Sequence, residues 1–157
     1  MFDWIFNSLA LFVSLIALVL SVISFFQSRT AVVKDYFFQG DSVEMKAHRK
    51  TIYDIYNNES DEDIIFNELL KHEDDVAHVI SFFDFWALMV KKHYLPRWTF
   101  HASPRYVTTT IYDKVLPYIT HRRIHQPEYA CYYEWLVGKL QRAEIKAARN
   151  KRIAQDE

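Results

Sequence analysis

From Ile5 to Phe26 the chain reads IFNSLALFVSLIALVLSVISFF, without a charge. Beyond Arg29, apolar residues return at three- and four-residue spacing between charged ones. The first pattern is that of a membrane span. A helix rises about 1.5 Å per residue, so residues 5–26 cover the roughly 30 Å hydrocarbon core of a bilayer. Trp4 suits the interfacial belt at one edge. The segment is longer than a signal-peptide core, no small-residue cleavage site follows it, and Asp3 stands where a signal peptide carries Lys or Arg. Arg29, Lys34, Lys46, Arg49 and Lys50 all follow the span. By the positive-inside rule the bulk of the chain is expected in the cytosol, with residues 1–4 outside.

The second pattern predicts helices throughout. The first helix is expected to continue to Gly40, a natural stop. Asp41-Ser-Val-Glu44 reads as a capping box for a helix to about Tyr56, with Met45, Ile52, Ile55 and Tyr56 inward. Asn57–Ser60 is a loop, with Ser60 expected to cap a short acidic helix through Leu70. From about Asp74 to Tyr94 apolar residues occupy nearly every face, the signature of a central buried helix; Asp84 and Lys91-Lys92 argue against a second span. Ser103-Pro104 should start a helix reaching about Ile119, which Pro117 is expected to end or kink. Pro127 should open a last helix that buries Tyr129, Tyr132, Tyr133, Leu136 and Leu140 and frays past Ala148.

Composition agrees with this reading. Half the residues are hydrophobic and 17% aromatic, so a packed core is expected; two glycines and four prolines are few for a turn-rich sheet protein. The expectation is an all-α fold: a transmembrane helix (5–26), a helical linker (27–40), a cytosolic helical bundle (41–148) and a charged tail (149–157). His48-Arg49-Lys50, Phe82-Phe83-Asp84-Phe85-Trp86 and Tyr132-Tyr133-Glu134-Trp135-Leu136 follow an N-terminal span in that order. In this the chain resembles a family of small bacterial membrane-anchored helical proteins known as domain-of-unknown-function 4760. The resemblance implies a helical bundle on an anchor and brings no activity, cofactor or catalytic residue.

Within the span, Asn7, Ala10, Ser14, Ala17, Ser21 and Ser24 alternate in steps of three and four, with Asp3 and Ser28 extending the row. They form one seam of small or polar residues, a face on which a second copy or a partner's membrane helix could pack. Lys139, Arg142, Lys146 and Arg149 line one face of the last helix, suited to lipid headgroups or an acidic partner. That face lacks interleaved aromatics, and with a net charge of −1 nucleic acid is not an expected partner. Arg49, Asp84 and Glu134 stand among apolar neighbours, and Arg49 is expected to pair with one of the two acids inside the bundle.

Catalytic signatures are sparse. Glycines only at 40 and 138 exclude phosphate-cradling loops, and one cysteine excludes an internal disulfide or CxxC site. His121 and His125 have i,i+4 spacing for a metal, but Arg122 and Arg123 oppose a cation there. Asp75-Val-Ala-His78 resembles half of a di-metal site, and no second half is evident in the sequence. No cofactor and no enzymatic activity are expected. The expected function is that of a non-enzymatic membrane-anchored adaptor or accessory subunit at a bacterial inner membrane. The alternatives are a self-associating membrane effector of a stress or phage-defence system, and a metal-dependent enzyme with an unrecognised site.

Overall fold

The computed structural model describes residues 2–102 and 105–153, with side chains described for 11–100 and 107–150. Within these the protein is all-helical. In chain order the elements are α1 (Phe2–Gly40), α2 (Val43–Asn58), α3 (Glu62–Lys71), α4 (Glu73–Lys91), α5 (Thr99–Ala102), α6 (Arg105–Arg123) and α7 (Cys131–Ile153). The Ser103-Pro104 cap and the end of the tail lie outside the described residues.

Helix α1 has two parts. From Leu11 to Ser28 every residue is exposed, including Leu11, Phe12, Leu18 and Phe26. This segment is long and apolar enough to cross a membrane, and none of it is covered by protein. The same helix continues without a break, and its last turns dock on the bundle through Val32, Val33, Tyr36 and Phe37. Tyr36 is the anchor. Its ring stacks on Phe82 (5.9 Å between centroids) and meets Trp86 edge-on (5.4 Å) and Phe100 at a tilt (4.9 Å). Gly40 allows the closest approach, since a Cβ there would stand 3.2 Å from Phe82 Cζ. The second half of the stretch expected as a linker (27–40) thus packs on the bundle through residues 32–37 and Gly40, while Gln27, Ser28, Thr30 and Ala31 stay exposed.

The centre is α4, as its unbroken apolar pattern implies. It packs against α2 on one side and α7 on the other, with α6 completing the bundle. Val76, Val79, Ile80, Phe83, Trp86, Ala87 and Val90 are buried. Phe83 stacks on Tyr133 (4.9 Å, 17°), and Tyr133 donates a buried hydrogen bond to the Thr108 carbonyl at 2.7 Å. Tyr56 ties α2 to α6 by donating to the Lys114 carbonyl. Tyr118 (3.1 Å) and Arg122 (2.8 Å) both donate to Glu73 Oε1, which joins the end of α6 to the start of α4.

Several local expectations shift by a residue or more. Ser42, not Asp41, caps α2, its hydroxyl accepting from Met45 N at 3.1 Å. Asp61, not Ser60, caps α3 through Asp63 N and Ile64 N. Pro117 does not end α6, which continues to Arg123. Proline removes the bond to the carbonyl four residues back, and here that is exposed Asp113, which water can serve. Past Pro127 the chain makes a turn before α7 begins at Cys131.

The expected Arg49 ion pair is corrected as well. Arg49 Nη2 donates to the Gly40 carbonyl at 2.7 Å and so caps the end of α1. Glu134 pairs instead with Arg123 at 2.9 Å. Asp84 Oδ1 accepts from Tyr132 N (2.9 Å) and Tyr133 N (2.8 Å), the second and third positions of α7. The residue before α7, Ala130, has φ +57° and no polar side chain, so α4 supplies the cap from across the bundle. Arg49 and Asp84 thus each satisfy backbone groups at a helix end, and Glu134 finds its opposite charge in Arg123.

Candidate functional site

The structure gathers polar and aromatic side chains where α1 leaves the bundle. Helix α4 ends in a Schellman turn. His93 N bonds the Val90 carbonyl (3.1 Å), Tyr94 N bonds the Met89 carbonyl (2.9 Å), and His93 takes φ +65°. The turn throws Lys91, Lys92, His93, Tyr94, Arg97 and Trp98 to the surface. Tyr94 and Trp98 are 61% and 56% exposed, large values for such rings. Pro96 and Trp98 then fold back against Phe26, Arg29, Thr30 and Val33 of α1, forming a shallow groove at the foot of the apolar segment. Arg29 lies over the Phe25 ring at 5.6 Å. A neighbouring depression is lined by Arg29, Lys91, His93 and Arg97 with no acidic residue. Lys91 is held there by the faces of Tyr132 (4.9 Å) and Trp135 (5.9 Å). Exposed tryptophan and tyrosine beside several cations, at the end of an apolar helix, match the chemistry of a membrane–water boundary.

The seam residues Ser14, Ala17, Ser21 and Ser24 are exposed; the side chains of Asn7 and Ala10 lie outside the described residues. Carried onward in steps of three and four, the seam passes through Ser28, Ala31 and Asp35, all exposed. The bundle meets Val32, Val33, Tyr36 and Phe37, which lie roughly 110° around the helix at 100° per residue. The seam is therefore uncovered even where α1 is docked.

On α7, Arg142, Lys146 and Arg149 are exposed and Lys139 is partly covered; Arg142 donates to the Gly138 carbonyl at 2.8 Å. His121 lies edge-on to Phe66 at 5.4 Å. His125 falls beyond the end of α6, so the two histidines do not share a helix face. Asp75 and His78 have a different company, Glu44 and His48 of α2. The sequence signal for that grouping was two short pairs, Glu44-x-x-x-His48 and Asp75-x-x-His78, on helices that had to be known to pack together.

Burial governs the titration of the core phenols. It pushes Tyr118 far up, assisted by Tyr129 and by its bond to Glu73, and holds Tyr133 well above the usual range. It also lowers Lys114, whose ammonium sits over the Tyr56 ring at 4.0 Å. These groups are locked in packing contacts, and their shifts reflect core burial.

A family model, described as a domain of unknown function (DUF4760), matches residues 5–140. The chain belongs to the DUF4760 family. The match takes in the apolar segment of α1 together with most of the bundle. No curated protein and no solved structure matches the chain.

Proposed function

We propose that this DUF4760 protein is a membrane-tethered, non-enzymatic interaction protein, an adaptor or accessory subunit. Its bundle rests against the cytosolic face of a bacterial inner membrane. One observation carries the reading: the bundle docks on one face of α1 and leaves the small-residue seam of Ser14, Ala17 and Ser21 open for another membrane helix. The orientation is supported by the cations that gather below the apolar segment, Arg29, Lys91 and Arg97. Each cation near an anionic surface contributes roughly 1 kcal/mol, so the depression they line suits lipid phosphates. Helix α7 runs in the same general sense as α4, with Asp84 at Tyr132 and Lys91 at Trp135. It carries the basic face of Lys139, Arg142, Lys146 and Arg149 toward the same end.

The test is the intact mass of the complex, purified from native membranes in mild detergent, with every chain identified. A second polypeptide in fixed ratio is expected. A monomer with no partner overturns the reading. The same open seam also favours a self-associating effector that perturbs the bilayer. In that case the complex is a pure homo-oligomer, overexpression depolarises cells, and Ser14→Leu with Ser21→Leu abolishes the depolarisation.

A further inference from the structure

Helix α2 packs against α4, and near the start of each His48 of α2 meets Asp75 of α4. Around this contact four side chains converge. Glu44 and His48 are one turn apart on α2, and Asp75 and His78 one turn apart on α4. One ligand atom from each of Glu44, His48 and His78 lies within 4.8 Å of the others. Glu44 Oε1 is 3.8 Å from His48 Nε2, and the two imidazole centroids are 4.5 Å apart. Ligands around a tetrahedral ion with bonds of 2.0–2.1 Å stand about 3.4 Å from one another, so small side-chain shifts would close this set on an ion.

The ring of His48 is prepared for that role. Its Nδ1 lies 2.5 Å from Asp75 Oδ1, which as a carboxylate can only accept, so that Nδ1 is the donor and Nε2 is the nitrogen turned toward Glu44. That Nε2 is buried and has no hydrogen-bond partner. A buried nitrogen in this state is costly unless something fills the position in front of it. Asp75 is occupied on both sides, since its Oδ2 faces His72 Nδ1 at 3.7 Å. It therefore orients the histidine and is not itself a ligand, the carboxylate–histidine–metal relay of zinc proteins. Among the described residues no lysine or arginine forms an ion pair with Glu44 or Asp75.

We propose that Glu44, His48 and His78 form a binding site for a divalent transition metal, zinc by ligand type, with Asp75 as the positioning residue. Two imidazoles and one carboxylate suit zinc, and thiolates are absent from the set. Glu44 and His78 are exposed, so the fourth position faces solvent and is taken by water or by a ligand from outside. The ion would pin α2 to α4, stiffening the end of the bundle opposite the depression lined by Arg29 and Arg97.

The site is independent of the proposed function. It is tested on the full chain in detergent, free of any histidine tag, by calorimetric titration with zinc alone and by thermal melting. One zinc per chain is expected, with a rise in melting temperature. His78→Ala, at an exposed position, should keep the helical signal, weaken zinc binding by about 100-fold or more and abolish the thermal rise. Asp75→Asn should weaken binding about 10–100-fold. His121→Ala with His125→Ala should leave it unchanged. The proposal is overturned if the wild-type chain takes up no zinc, or if His78→Ala binds as tightly as wild type. Undiminished binding in Asp75→Asn removes its positioning role.

Discussion

Helix α1 is one continuous helix with two kinds of surface. Between Leu11 and Ser28 its leucines, valines and phenylalanines are exposed on every face; between Val32 and Phe37, a turn later, side chains of the same kind are wedged among Phe82, Trp86 and Phe100. Both stretches are rich in apolar residues. What changes is the spacing of polar residues: Lys34, Asp35 and Gln39 leave one stripe apolar, whereas the earlier stretch has no charged face at all. A helix with one apolar stripe finds a protein partner, and one that is apolar all round needs lipid or a fully enclosed core.

That contrast can be broken from either side. The largest effect is expected from Tyr36→Ala, which opens a cavity among three rings and should cost about 3–5 kcal/mol of bundle stability. It should leave membrane partitioning intact, as a melt combined with membrane fractionation would show. Leu18→Arg is the converse. It should cost about 2.5–3.5 kcal/mol in insertion and shift the protein toward the soluble fraction without altering the bundle melt. Asp84→Ala removes the cap that α4 lends to α7 and should cost roughly 2 kcal/mol, read as a lower denaturation midpoint.

High pH should separate the two parts. Tyr118 and Tyr133 have folded-state values raised by burial above the ordinary 10.0. Their contribution is fully present below about pH 10 and is lost as pH rises from there toward the folded values. An alkaline scan in detergent should therefore unfold the bundle above pH 10. The segment from Leu11 to Ser28, which has no titratable side chain, should stay helical. The smallest change expected is a gain. His93→Gly relieves a left-handed backbone conformation and should raise stability by about 1 kcal/mol.

Much of this architecture is legible in the sequence because it rests on local patterns. The charge-free run, the apolar saturation of α4 and the three-and-four spacing of α2 each report on a single helix. The helix starts slipped by one residue where two capping residues adjoin, Asp41 with Ser42 and Ser60 with Asp61, since either can accept the first amides. Asp84 reads as a charge in an apolar setting, but its work on α7 depends on where another helix begins. The same holds for His48 and His78. Thirty residues apart, each looks like an ordinary surface histidine until α2 and α4 are laid side by side. The belt of Tyr94, Arg97 and Trp98 was hidden for a related reason, as only the turn after Lys91 brings it beside Arg29.

Because α1 has neither glycine nor proline between Phe2 and Gln39, it has no joint. With Tyr36 clamped in the bundle, the helix is built like a crankshaft: a twist or tilt applied to its apolar segment is delivered whole to the bundle. Inserting one residue near Ser28 would swing the bundle about 100° around the axis relative to the seam, while four would bring it back to within about 40°. A pair of chains joined along the seam would thus hold their two bundles at one fixed facing angle, and the phase of a single helix decides which surfaces meet.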